Sequence, residues 1–393
     1  MNTNKNQIKT VKLGEVAEFV NGYPFKPTDW HPDEQGLPII RIQNLNNETK
    51  PFNYFLGKVP GKYYVDDGAL LFSWSGTPGT SFGAFFWNRG PAVVNQHIFR
   101  VIWGDKVDPN YFRYAMNSTL DHIISQAHGG VGLKHITKGK LLDVEIPLPP
   151  LPEQKRIAEI LDLADEARRK RRENLTLYDD LIRSLFLQTF GDPVSNPNNL
   201  KTTTLEKVCV RVTDGTHQSP TWEPSGVPFL FISNIVDGQI RFNTSKYISE
   251  KTHEELTRRC SIEVGDVLYT TVGSYGNVAV VSATRKFAFQ RHIAHIKPDH
   301  GSVNSTFLAA MLQSPGVRRQ VDKAARGVAQ KTVNLADLKR LVIFDPPLSV
   351  QKELANQIEE INLQKAREQA LYDQHDDLFN SLLQRAFCAY PRF

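Results

Sequence analysis

The sequence predicts an α+β protein made by internal tandem repeat: two mixed, strand-rich domains separated by an antiparallel coiled coil of two long helices, in a pseudo-two-fold arrangement. Three observations predict it. A segment in the middle of the chain returns near its end at a fixed spacing. Each copy changes from Gly-, Pro- and aromatic-rich short segments to an uninterrupted polar, leucine-rich run. The apolar residues of both runs fall on a 3.5-residue grid.

The repeat is read from LPPLPEQKRIAEIL (148–161) and DPPLSVQKELANQI (345–358), in which Gln154-Lys155 recurs as Gln351-Lys352, 197 residues on. The same spacing relates Asp179-Asp180-Leu181 to Asp376-Asp377-Leu378, Ser184-Leu185 to Ser381-Leu382, and Phe190 to Phe387. It also relates Gly68, Leu71 and Gly76 to Gly265, Leu268 and Gly273. Loop insertions shift it to 195 for His97-Ile98 against His292-Ile293, and to 190 for Pro38, Ile42 and Asn44 against Pro228, Ile232 and Asn234. A length of 393 residues is then one unit of about 197, duplicated.

Taking the elements in order, Leu37 to Ile42, Gly68 to Trp74 and Val93 to Ile102 are β-branched or aromatic runs bounded by Gly, Pro or Asn, and read as strands. Pro109 to Ser125 reads as short helix. Residues 153–190 hold no Gly or Pro and end at Gly191 and Pro193, a helix with its stop signal. At ~1.5 Å per residue this helix is ~55 Å long. The expected boundaries are strand-rich domains at 1–150 and 201–347, helices at 151–190 and 348–387, a linker at 191–200 and a tail at 388–393.

The helical seam includes Ile157, Leu161, Arg171, Tyr178, Ile182 and Leu185 in the first copy, and Leu354, Ile358, Ile361, Glu368, Phe379 and Leu382 in the second. Such seams need a covering helix, and each is the obvious cover for the other. Antiparallel pairing makes partner numbers sum to about 540 and brings Arg171 to Glu368. Parallel pairing also brings the charged middles together; antiparallel is preferred because it separates the strand-rich domains.

Composition sets limits. With 40% hydrophobic and 23% charged residues the chain is neither disordered nor fibrous, and a net charge of +5 permits a polyanionic partner without demanding one. Cys209, Cys260 and Cys388 fit neither a disulfide framework nor a metal knuckle, which suggests a reducing cytoplasm. No signal-peptide core or membrane-spanning run is apparent.

Several motifs invite chemistry. Asp345-Pro346-Pro347-Leu348 is similar to the base-gripping tetrapeptide of amino-group methyltransferases, but Leu348 stands where an aromatic belongs and no cofactor turn precedes it. Prolines that stiffen the start of a helix explain it more simply. His128-Gly-Gly-Val-Gly-Leu-Lys134 lacks the P-loop ending, yet its counterpart Arg326-Gly-Val-Ala-Gln330-Lys331 makes a glycine-hinged basic loop recur.

Gln96-His97 and Arg291-His292 have no partner at metal spacing; side chains of these types, with Arg41, Asn44 and Asn234, bond base edges. Ser73-Trp-Ser75-Gly-Thr77 and Thr270-Thr271-Val-Gly-Ser274-Tyr275 are equivalent hydroxyl-rich loops suited to phosphates. Lys134, Gln330 and Lys331 complete the set of candidate DNA contacts, with ordinary turns and strand caps as the competing explanation. The run Arg168 to Arg172 points all round its helix, so it reads mainly as a solvated, partner-paired waist.

With the duplication, PLPPLPEQKRIAEIL (147–161) and LIRSLFLQTFGDP (181–193) in view, the chain resembles the specificity (HsdS) subunit of type I restriction-modification systems over essentially its full length. The second copy departs from the pattern, with Ser349-Val350 in place of Pro152-Glu153. The resemblance implies a cytoplasmic, non-catalytic chain whose two target recognition domains each read half of a split, asymmetric double-stranded DNA target, with the helices as ruler. It implies no cofactor or metal here. S-adenosylmethionine would reside in modification subunits, two of them docked on this chain, and ATP and Mg in restriction subunits. A specificity subunit of a related bipartite type II system, with methyltransferase and nuclease fused in one partner, is the nearest alternative; a DNA adenine methyltransferase is a distant one.

Overall fold

The computed structural model describes residues 9–31, 34–77, 80–128, 134–327 and 330–387. The chain forms two compact units, and neither is a sequence half: residues 1–170 join 372–393, while 171–371 form the second.

The first unit is organised on an antiparallel sheet in the order Ala17–Asn21, Ile98–Trp103, Ala69–Ser73, Gly83–Trp87. Strand side chains alternate, and here both faces are buried. Leu70 and Phe72 join Phe19, Phe99 and Val101 in the large core, whereas Leu71 joins Ile40, Val94 and Ile98 in a second core. That two-sided burial is why the strand reads as a continuous apolar run. A second sheet, in the order Asn53–Phe55, Leu37–Ile40, Ala92–Val94, Tyr64–Val65, is antiparallel except where Leu37–Ile40 runs parallel to Ala92–Val94.

The expected strand Val93 to Ile102 is therefore two strands in two sheets, broken at Asn95-Gln96-His97. The expected strand at Leu37 stops at Ile40 and is followed by the short helix Ile42–Asn46. Pro109 to Ser125 is two helices, Pro109–Ser118 and Leu120–Gln126, the first capped by Asp108, which accepts from the Tyr111 N–H.

The second unit repeats the plan. Its main sheet runs Cys209–Asp214, Ile293–Pro298, Val267–Thr270, Val278–Val280, and Val267 and Tyr269 face one core while Leu268 faces another. Asn304 caps Ser305–Gln313 as Asp108 caps its counterpart.

The long helices are Leu151–Phe190 and Leu348–Phe387. Each is fixed to the unit holding its root by a buried glutamine, which explains the glutamine of the repeated Gln-Lys pair. Gln154 Oε1 accepts from the Asp108 N–H at 2.9 Å and its Nε2 donates to the carbonyls of Lys106 and Pro149. Gln351 accepts from the Asn304 N–H and donates to Ser302 and Pro346. The first helix ends at Gly191, whose φ of +80° suits a left-handed cap.

All the seam residues named above are buried or half-buried. In the first unit Arg168 bonds Asp376 and lies 3.8 Å over the Phe379 ring. In the second, Arg171 meets Glu368 at 3.1 Å and Asp179 meets Lys365 at 2.5 Å; rising numbers on one helix meet falling numbers on the other, so this pairing is antiparallel. Among the described residues no helix is long and apolar enough to cross a membrane.

Candidate nucleic-acid interface

In both units the ends of the central strands carry loops that hydrogen bond one another. In the first, the turn Asn95-Gln96-His97 joins two sheets, and the Trp74 N–H donates to the His97 carbonyl. Ser75–Gly76 pairs with Lys134–His135. In the second, Thr271 N–H donates to the His292 carbonyl and Gly273 N–H to that of Lys331. Three of the segments singled out from sequence are thus brought together twice. The glycine-rich stretches between His128 and Lys134, and at Val328-Ala329, lie outside the described residues.

A groove of about 670 Å³ opens over the first set, lined among others by Trp30, Arg41, Lys50, Thr77, Gln96 and His97. Trp74, His97 and His135 form a ring cluster, with centroids 5.4 Å apart for Trp74–His97 and 6.3 Å for His97–His135. Burial, and then the neighbouring His135, hold His97 below the usual imidazole range. His292 is lowered as well, by burial first and then by Arg291 and His217. Gln96 and Arg291 play the same part: each points a nitrogen at the Nε2 of the following histidine.

Other candidates are occupied by the fold. Asn44 and Asn234 are buried; each accepts from a backbone N–H, of Arg41 and Phe231 respectively, and each donates to two loop carbonyls. In the fold each amide braces a loop and presents no free base-reading edge. Ser73, Ser75, Thr270 and Thr271 are also buried. Ser75 Oγ meets His135 Nδ1 at 2.6 Å, and Thr270 Oγ1 donates to the Ser274 carbonyl. The Tyr275 hydroxyl donates to Asp322, which with burial raises its pKa. Thr77, Ser274, Arg291, Gln330 and Lys331 are exposed; half-buried Lys134 donates to the Ile124 carbonyl.

Sequence reasoning missed the segment that follows the first strand of each main sheet. Gly22 and Gly215 stand where a Cβ would lie 2.1 Å from the carbonyl oxygens of Asn95 and Phe289. This close approach carries Tyr23 and Thr216 into bridges with Asn95 and Gln290, and then delivers Trp30 and Trp222. The available signal was a repeat spacing of 193 between the two glycines.

Two catalytic arrangements can be weighed on geometry. Asp345 is tied to Lys201 at 2.5 Å, and Leu348 begins the long helix, so Asp345-Pro346-Pro347-Leu348 is a helix start. Cys260, His295 and Asp266 do line up, with Sγ to Nδ1 at 3.4 Å and Nε2 to Oδ2 at 2.7 Å. However, His295 and Asp266 are sealed in the core, and burial raises the Cys260 thiol pKa, which disfavours the thiolate. Among the described residues no three His, Cys, Asp or Glu side chains form a group able to hold a metal.

A fold used twice, presenting on each copy a loop set of amide, imidazole, hydroxyl and cationic side chains, defines a duplicated nucleic-acid reader. A family model described as "Type I restriction modification DNA specificity domain" matches residues 5–176 and 197–371, and the chain belongs to that family. It is a DNA specificity subunit with two target recognition domains, and subunits of this family recognise DNA without catalysing a reaction. The chain is 26% identical to the type I restriction enzyme EcoBI specificity subunit of Escherichia coli, over 96% of this chain and 85% of that one. It is 24% identical to the StySPI specificity subunit of Salmonella potsdam, over 96% and 88%. The crystal structure of a type I restriction-modification S subunit from M. genitalium shares the fold, with a TM-score of 0.54 at 13% identity, covering 100% of this chain and 99% of that one.

Proposed function

We propose that each recognition domain reads one half of a split, asymmetric DNA target through its cluster of strand-end loops, and that the paired helices set the number of unread base pairs between the halves. The observation that carries this is a common loop framework bearing unlike side chains: Gly76 and Gly273, His97 and His292, and Lys134 and Lys331 recur, while Gln96 is replaced by Arg291 and Arg41 by Phe231. Recurring groups suit the phosphate backbone, which is alike everywhere; differing groups suit bases.

In this reading the chain holds no cofactor and works in the cytoplasm. Two modification subunits carrying S-adenosylmethionine dock on it, and restriction subunits supply ATP- and Mg-dependent cleavage. The test is single-molecule sequencing of host DNA for methylated motifs, with and without this gene. Loss of one bipartite motif with two unlike halves is expected on deletion; loss of a palindromic or unsplit motif overturns the reading.

A further inference from the structure

The two domains differ most informatively at a single equivalent position. Trp30 and Trp222 each precede a residue that bridges to a tyrosine of the strand paired antiparallel with Leu37–Ile40 or with Val227–Leu230, His31 to Tyr54 and Glu223 to Tyr247. Arg41 and Phe231 each donate their N–H to the brace asparagine three residues on. In the first domain the Arg41 guanidinium sits 5.5 Å from the centroid of Trp30. In the second the Phe231 ring lies 6.4 Å from that of Trp222. One backbone site, backed by one tryptophan, therefore presents a cation in one domain and an apolar ring in the other.

Arg41 is half-buried, lines the groove, and forms no ion pair among the described residues. Its Nε is buried without a partner, and its Nη2 reaches only the Pro51 carbonyl, at 3.4 Å. A half-buried cation without a counter-charge favours an acceptor-rich partner. The contact with Trp30 and the bond to Pro51 restrain the guanidinium on one side, which leaves Nη1 and the remaining Nη2 hydrogen for a pair of acceptors, and a planar fork suits a planar pair better than a diffuse charge. The phosphate backbone is alike on both half-sites, so a phosphate contact gives no reason for the second domain to have phenylalanine here.

We propose that Arg41 is a specificity-determining residue that reads the O6/N7 edge of a guanine in the half-site of the first domain, and that Phe231 occupies the equivalent place in the second, where it can meet a thymine methyl but cannot donate. This rests on the proposed function and deepens it. The remaining hydrogens of Arg41 match guanine's two major-groove acceptors; adenine and cytosine each place an amino donor there, which a guanidinium cannot accept.

The test is selection from a randomised duplex library by the full chain with its co-purified modification subunits, comparing wild type, Arg41→Ala and Arg41→Gln. Wild type is expected to select a bipartite motif with an invariant guanine in one half. Both variants should lose that preference by about 10- to 100-fold at this one position, a bidentate pair's worth of discrimination. The second half-site should be unchanged, which also reports that the complex is folded. An intact guanine preference in either variant that still selects the second half-site overturns the proposal, and so does a uniform loss at all sequences with a salt slope reduced by about one, the mark of a phosphate contact. If wild type selects no split motif, it is the functional reading that fails.

Discussion

Replacing Gln154 by alanine tests whether one side chain joins the long helix to its domain. The side chain is 1% exposed and makes three hydrogen bonds, to the Asp108 N–H and to the carbonyls of Lys106 and Pro149. Its removal strands one donor and two acceptors away from water. An unpaired buried group costs about 1–3 kcal/mol, more for the N–H than for a carbonyl that keeps some solvation, so about 3–5 kcal/mol is expected for the site. For a unit of 150–250 residues each 1 kcal/mol moves the melting point by about 2–4 °C, so Gln154→Ala should lower the transition of the first unit by roughly 6–20 °C. Differential scanning calorimetry on the full chain would show one transition shifted and the other in place, with the roles exchanged in Gln351→Ala. A shift under about 2 °C in both variants would refute the reasoning, because the two sites share the same three-bond geometry.

Two further predictions concern the seam and the groove. Truncating Arg171 or Glu368 alone leaves a half-buried charge and should cost about 1–3 kcal/mol, whereas replacing both by leucine should restore most of it; a double-mutant cycle by thermal melting checks this. His97 takes up its proton less readily folded than unfolded, so the unfolded chain carries more protons as pH falls through about 6.5. The stability linked to this residue is full above that value and declines as pH falls below it, and His97→Gln should melt with a shallower pH dependence there.

The repeat, the two helices and their seam were legible because they rest on local periodicity and on identities such as Gln154 and Gln351. The break at Asn95-Gln96-His97 was not, because no Gly or Pro marks it; it exists because Leu37–Ile40 pairs in parallel with Ala92–Val94, a contact more than fifty residues away. Asn44 and Asn234 share the residue type of a base-reading side chain, and only the fold shows their amides filled by loop backbone. Trp30 and Trp222 were missed because the repeat spacing slips from 193 to 192 between the glycines and the tryptophans. The Arg41–Phe231 difference acquires meaning only once those tryptophans are seen behind it.

The make-up of the first unit has a consequence for biosynthesis. Phe379 and Phe387 join its core, packed beside Tyr114 and Tyr111. Phe387 follows Tyr111 by 276 residues, so at about 5–20 residues per second a ribosome supplies the missing side chains roughly 15–55 s after the tyrosines. During that interval the early half of the nascent chain exposes the apolar surface that Phe379 and Phe387 cover in the folded chain, and residues 171–371 are all synthesised before that cover arrives.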